Sequence, residues 1–90
     1  MAFLVEIVTP DKKIYSGEAT SIRVPGTNGS FEILNHHAPI ISTLGKGQVR
    51  ILTTAGNSIQ YEVQDGVIEM LNNKVSVLIE KIISSSEVEE

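Results

Sequence analysis

Apolar and polar positions alternate with a period of two along most of the chain, the pattern of half-buried β-strands rather than of helices. Phe3, Val5 and Ile7 point one way, and Leu4, Glu6 and Val8 the other. Thr9-Pro10-Asp11-Lys12 reads as a turn, since Pro10 has no N–H to give to a ladder. Lys13 to Tyr15 returns as a short strand, and Ala19 to Val24 forms the next one beyond Ser16-Gly17. Pro25-Gly26-Thr27-Asn28-Gly29-Ser30 is the strongest loop signal in the chain, with Gly26 and Gly29 expected to supply positive φ. Phe31, Ile33 and Leu34 predict a strand, followed by an irregular stretch from Asn35 to Pro39. Ile40 to Leu44 and Gln48 to Thr54 are strands separated by Gly45-Lys46-Gly47. Ile59, Tyr61 and Val63 alternate with polar residues after a turn at Ala55 to Ser58. Asp65-Gly66 predicts a hairpin, Val67 to Leu71 a strand, Asn72-Asn73 a turn and Val75 to Ile79 a further strand.

These are eight to ten short strands with turns at roughly ten-residue spacing, which predicts an all-β sandwich or barrel. The expected domain is residues 1–83, with the polar, acidic stretch 84–90 fraying. The last two long strands carry apolar residues on both faces: Val67, Glu69 and Leu71 lie opposite Ile68 and Met70, and Val75, Val77 and Ile79 lie opposite Ser76, Leu78 and Glu80. A two-layer sandwich needs one buried face per strand. The surplus of Ile68, Met70, Leu78, Ile82 and Ile83 therefore has two readings: an exposed interface patch, or a sandwich that curls and buries both faces at its edges.

Composition narrows the function classes. Ninety residues, 41% of them hydrophobic and 20% charged, make one ordinary domain. The net charge is −4, and the seven basic residues (Lys12, Lys13, Arg23, Lys46, Arg50, Lys74, Lys81) form no stripe along the sequence. With few aromatics to stack on bases, nucleic-acid binding is not expected. No cysteine is present, which excludes disulfides, thiolate catalysis and cysteine zinc sites. No apolar run approaches the roughly 20 residues of a membrane-spanning helix, and the N-terminus has no secretory pattern, so no direct membrane insertion is expected.

Candidate chemistry is thin. His36 and His37, with Glu32 or Asp11, are the only residues that suggest a metal, but adjacent histidines on extended chain point to opposite sides and chelate one ion poorly. The loops at Gly26 and Gly45 lack the Lys-Ser/Thr pair and following helix of a phosphate loop. No nucleophile elbow or triad is visible, and the carboxylates are dispersed. A sugar-binding sandwich usually offers flat aromatic platforms, and this chain has two Tyr, two Phe and no Trp. Catalytic, cofactor and metal residues are therefore expected to be absent, and a protein-binding role is favoured.

The order of several segments is more specific than any one of them. Val5-Glu6-Ile7-Val8-Thr9-Pro10-Asp11 leads into Ile14-Tyr15-Ser16-Gly17-Glu18-Ala19. Ile22-Arg23-Val24-Pro25-Gly26-Thr27-Asn28-Gly29-Ser30-Phe31-Glu32-Ile33-Leu34 follows, then His37-Ala38-Pro39, Ser42-Thr43-Leu44 and Gly47-Gln48-Val49-Arg50-Ile51. Over residues 2 to about 81 this resembles the N-terminal domain of the epsilon subunit family of F-type ATP synthases. The resemblance implies a flattened ten-stranded β-sandwich in the central rotor stalk, coupling proton or sodium flow to ATP synthesis and hydrolysis by fixing the gamma subunit to the ring of c subunits. It implies no catalysis by the subunit itself and no cofactor. It places the ring-facing end at Thr27, Asn28, Gly29 and Ser30 and at Asn35, His36 and His37. It places the gamma-facing surface on the apolar surplus around Ile68, Met70 and Leu78, with Ile40 to Ser42 nearby. A peripheral position at the cytoplasmic face of the bacterial inner membrane follows from the same likeness.

Two places depart from the family pattern. Glu32 stands where a glycine is usual after Phe31, and Asn35-His36 replaces a proline and a small polar residue before His37. The acidic stretch after Ser84 stands where many family members continue into a two-helix domain that binds ATP or inhibits hydrolysis. On this reading the chain is expected neither to bind ATP nor to inhibit through extended helices.

Overall fold

The computed structural model describes residues 2–89, and side chains through residue 86; Met1 and Glu90, the outer ends of the two ranges expected above, lie outside the described residues. Seven strands follow in chain order: β1 (Phe3–Val8), β2 (Lys13–Gly26), β3 (Gly29–Leu34), β4 (Ile40–Leu44), β5 (Gly47–Thr53), β6 (Asn57–Leu71) and β7 (Lys74–Glu89). The fold class expected from the alternation is right, but the expected count of ten separate strands is not what the backbone shows. β2, β6 and β7 are each 14 to 16 residues long; β2 and β6 run through positions where turns were predicted, and β7 runs on into the stretch expected to fray.

The pairing explains the difference. The first half of β2 pairs with β1 and its second half with β3 and β5. The first half of β6 lies between β5 and the second half of β7, while its second half lies between β4 and the first half of β7. β1 and β7 pair in parallel. One layer is thus β3, late β2, β5, early β6 and late β7, and the other is early β2, β1, early β7, late β6 and β4. Three long strands pass from one layer into the other, so each layer holds five strand segments and the sandwich is closed along part of its edge.

Each crossing shifts which residues face inward. In β2 the buried set moves from Ala19 to Ile22 and Val24, across a register shift between Ala19 and Ser21. In β6 it moves from Tyr61 and Val63 to Ile68 and Met70. The β6 corner is at Asp65, whose φ of 60° is left-handed, and Gly66. A Cβ on Gly66 would lie 2.4 Å from the Leu78 carbonyl oxygen and 2.9 Å from Ile79 Cδ1, so the Asp65-Gly66 pair bends a continuing strand where a hairpin was predicted. Ser84, Ser85 and Ser86, expected to fray, pair in β7 with Glu62, Tyr61 and Gln60.

The core is aliphatic: Val5, Ile7, Ile22, Val24, Ile33, Val49, Ile51, Val63, Ile68, Met70, Val75, Val77 and Ile79 are all buried. At about 25 cal/mol per Å² of apolar area, this shared interior is what makes two thin layers one unit. No buried side-chain nitrogen or oxygen lacks a hydrogen-bond partner among the described residues.

Candidate interaction surfaces

The two polar segments expected to share one end of the sandwich are held apart. Thr27 to Ser30 form the tip of the β2–β3 hairpin and are exposed. Gly29 has a φ of 126°. Gly26, contrary to expectation, is not in the left-handed region; it is needed for space, since a Cβ there would sit 2.6 Å from the Gly29 carbonyl oxygen and 2.8 Å from the Phe31 ring. The tip is fastened to the β4–β5 connection: Thr27 N–H donates to the Thr43 carbonyl at 3.2 Å, Gly45 N–H to the Pro25 carbonyl at 2.9 Å, and the Thr27 and Thr43 hydroxyls are 2.9 Å apart.

Asn35, His36 and His37 sit at the other end of β3, roughly 17 Å along the strand at ~3.3 Å per residue. There Asn73, in a left-handed conformation at φ 59°, acts as a clasp. Its Oδ1 accepts from His36 N–H at 2.9 Å, and its Nδ2 donates to the Asn35 Oδ1 at 2.9 Å and to the Ala2 carbonyl at 3.2 Å. His36 also has positive φ, 63°, and His37 Nδ1 lies 2.8 Å from the Ala38 carbonyl oxygen. One polar amide thereby joins the N-terminus, the β3–β4 loop and the β6–β7 turn. Among the described residues no three His, Asp or Glu side chains converge as a metal site does.

The surface expected around Ile68 and Met70 needs a correction. Both are core residues, with 0% and 1% of their surface exposed, and pair with Ser42 and Ile40 of β4, which are half-buried. Exposed instead are Ile41 at 71%, Leu71 at 52% and Leu78 at 54%. Ladder register places them on one outer face: Ile41 opposite Glu69, Leu71 opposite Lys74, and Leu78 opposite Val67 and Val8. The signal was present in the sequence, because Glu69 shares its face with Val67 and Leu71, and Glu80 shares its face with Leu78. A carboxylate within an alternating set marks the solvent side. Of the five residues expected on the gamma-facing surface, Leu78 alone is exposed.

An apolar groove of about 610 Å³ opens at one end of this face, lined by Val8, Pro10, Val67 and Leu78, with Asp65 and Glu80 also on its wall. On the same face Glu6 accepts from Lys13 at 3.1 Å and Lys74 at 3.2 Å. Hydrogen bonds from Lys13 and then Lys74 hold its carboxyl below the usual carboxylate range. The other layer's outer face is more polar, with Arg23, Glu32, Gln48 and Arg50 exposed and Gln60 half-buried, although Leu34 of β3 at 54% and Ile83 of late β7 at 44% are exposed on strands of that layer too.

Residues 2–85 match the family described as "ATP synthase, Delta/Epsilon chain, beta-sandwich domain". The chain belongs to the ATP synthase delta/epsilon family. The epsilon chain of Chlorobium limicola is 37% identical over 81 residues, covering 90% of this chain and 92% of that relative. The epsilon chain of Salinibacter ruber is also 37% identical, over 94% of this chain and 62% of the longer relative. The same fold is found in solved structures. A chain of the Euglena gracilis mitochondrial ATP synthase OSCP/F1/c-ring structure matches with a TM-score of 0.85 at 15% identity, over 91% of this chain and 52% of that one. A chain of the Tetrahymena thermophila mitochondrial ATP synthase central stalk/c-ring structure matches with a TM-score of 0.73 at 17% identity, over 90% and 65%. At such identities the likeness is one of fold.

Proposed function

We propose that this chain is a central-stalk rotor subunit of an F-type ATP synthase, joining gamma to the c ring and carrying torque without catalysing a step itself. Family membership over residues 2–85 and the epsilon-chain relatives support this reading, as does a fold shared with chains of rotary ATP synthase structures. No helix among the described residues is long and apolar enough to cross a membrane. The proposed location is therefore peripheral, on the cytoplasmic face of a bacterial inner membrane and held there by the complex.

The single observation that carries the assignment of surfaces is the exposure of Ile41, Leu71 and Leu78 on one outer face. Large aliphatic side chains left in water on one sheet face fit a partner-covered interface. This face is assigned to gamma, together with the bordering loop Asn35 to His37, which the Asn73 clasp fixes beside it. The polar tip Thr27 to Ser30, remote along β3, is assigned to the c ring. Calorimetric titration of gamma into the Leu78→Asp variant tests the assignment: affinity should fall at least about tenfold, because a carboxylate is desolvated there without a partner. Unchanged affinity would remove the face from the interface.

A further inference from the structure

The chain has five asparagines, Asn28, Asn35, Asn57, Asn72 and Asn73, and asparagine is one of the thermolabile residues. The fold sets one of them apart. The Asn73 side chain is tied to the His36 N–H, the Asn35 Oδ1 and the Ala2 carbonyl, and Asn35 is held by the same clasp. Asn57 opens β6 next to the buried Ser58, with its own N–H on the Thr53 hydroxyl at 3.1 Å. Asn72 is exposed but is followed by the side chain of the clasped Asn73. Asn28 is exposed at the tip of the β2–β3 hairpin, and among the described residues its carboxamide makes no hydrogen bond. It alone is followed by a glycine. Gly29 is exposed, and the space where its Cβ would stand is open, with no heavy atom within 4 Å. No side chain on the following residue therefore crowds the approach of its backbone nitrogen to the Asn28 carboxamide.

We propose that Asn28-Gly29 is a site of covalent self-modification by deamidation. The Gly29 backbone nitrogen loses its proton to water and attacks the side-chain carbonyl carbon of Asn28, Cγ. A new N–Cγ bond forms, the Cγ–Nδ2 bond breaks, and Nδ2 leaves as ammonia after taking a proton from water. Water then opens the cyclic imide at either carbonyl, leaving aspartate or isoaspartate at position 28; nothing is oxidised or reduced. The fold gates the first step. Thr27 and Asn28 form the turn closed by the Gly26–Gly29 pair, so the Gly29 nitrogen reaches Cγ only when the turn opens. The fasteners of the tip resist that opening: the Thr27 and Thr43 hydroxyls 2.9 Å apart, and the Thr27 N–H on the Thr43 carbonyl. Either product adds a negative charge to the tip, and isoaspartate also inserts a methylene into the backbone of the turn. The consequence for a ring contact rests on the assignment of Thr27 to Ser30 to the c ring; the reaction itself does not.

The test is incubation of the whole folded chain for days at mildly alkaline pH in heavy-oxygen water, followed by peptide mapping with mass spectrometry. Asn28 should be the first asparagine to lose ammonia and gain a heavy oxygen, with isoaspartate exceeding aspartate, while Asn35 and Asn73 stay intact. Thr43→Val keeps the shape of that exposed side chain but removes its bond to the Thr27 hydroxyl. It should raise the rate at Asn28 roughly threefold, the worth of one hydrogen bond in water. An intact Asn28 at the end of the incubation, another asparagine reacting first, or a rate at Asn28 that Thr43→Val leaves unchanged would overturn the proposal.

Discussion

The two outer faces of this sandwich are built on strands of the same three long segments, yet they differ in character. On the layer holding β1, β4 and late β6, Ile41, Leu71 and Leu78 stand in solvent beside Val8 and Val67. On the layer holding β3 and β5, one row across the strands is Glu32, Arg23, Arg50 and Gln60, and the next is Leu34, Ser21 and Leu52, of which Leu34 is exposed. Both layers close over one core, so burial within the chain does not account for the difference. It teaches that a sheet face is assigned a role by what it leaves unburied, and that the apolar face is the one lacking its covering in the isolated chain.

Substitutions that separate inside from outside on neighbouring residues sharpen this contrast most. Met70→Asp places a carboxylate in the core and should abolish cooperative thermal unfolding, since an unpaired buried charge costs several kcal/mol, on the order of the whole stability of a small domain. Leu78→Asp, on the adjoining strand β7 opposite Val67 but facing out, should leave the melting temperature within a few degrees. If Leu78→Asp unfolds the chain as Met70→Asp does, the inward and outward sets have been misassigned.

The corner that sets those faces is next in expected effect. Gly66→Ala drives a methyl against the Leu78 carbonyl and Ile79 and should cost roughly 1–3 kcal/mol, read by urea denaturation. Asn73→Ala removes the acceptor for His36 N–H and the donor to Asn35 and Ala2. About 1–2 kcal/mol should be lost, with faster amide exchange at His36 and His37 while the Thr27 to Ser30 tip is unchanged. Equal loosening of both loops would mean that they are not the separate structures described here.

The smallest effect lies on the apolar face itself. Glu6 has a folded-state pKa below its unfolded value because Lys13 and Lys74 bond its charged form. Its contribution is therefore present above the unfolded carboxylate pKa and is lost as pH falls through the lower folded value. The stability difference between the native chain and Glu6→Gln should be visible at pH 7 and shrink to nothing in acid. A difference that persists in acid would assign Glu6 a role other than this ion pair.

Much of the fold was legible in the sequence because alternation with period two records burial directly. The inward sets of β1, β5 and early β7 follow from it without further information. Strand continuity was not legible: Asp65-Gly66 has the composition of a hairpin, and only tertiary pairing of β6 with β4 and β7 shows that it bends one strand instead. The apolar surplus was assigned to Ile68 and Met70 because both faces of Val67 to Leu71 carry apolar residues, and alternation alone does not say which face is inward. Glu69 and Glu80 carried the correcting signal. The ring-facing and gamma-facing segments were both named from likeness to the family, but their separation depends on β3 lying between them, a distance that residue order alone does not give.

The face bearing Ile41, Leu71 and Leu78 is the one proposed to be covered by gamma. Amide hydrogen exchange and methyl chemical shifts of the whole chain, compared with and without gamma, are the measurement that bears on this face. Gamma-dependent amide protection is expected in β4, late β6 and early β7, with methyl shifts at Ile41, Leu71 and Leu78 and none at Leu52 on the opposite layer. Protection confined to β3, β5 and the Arg23–Arg50 face would contradict it.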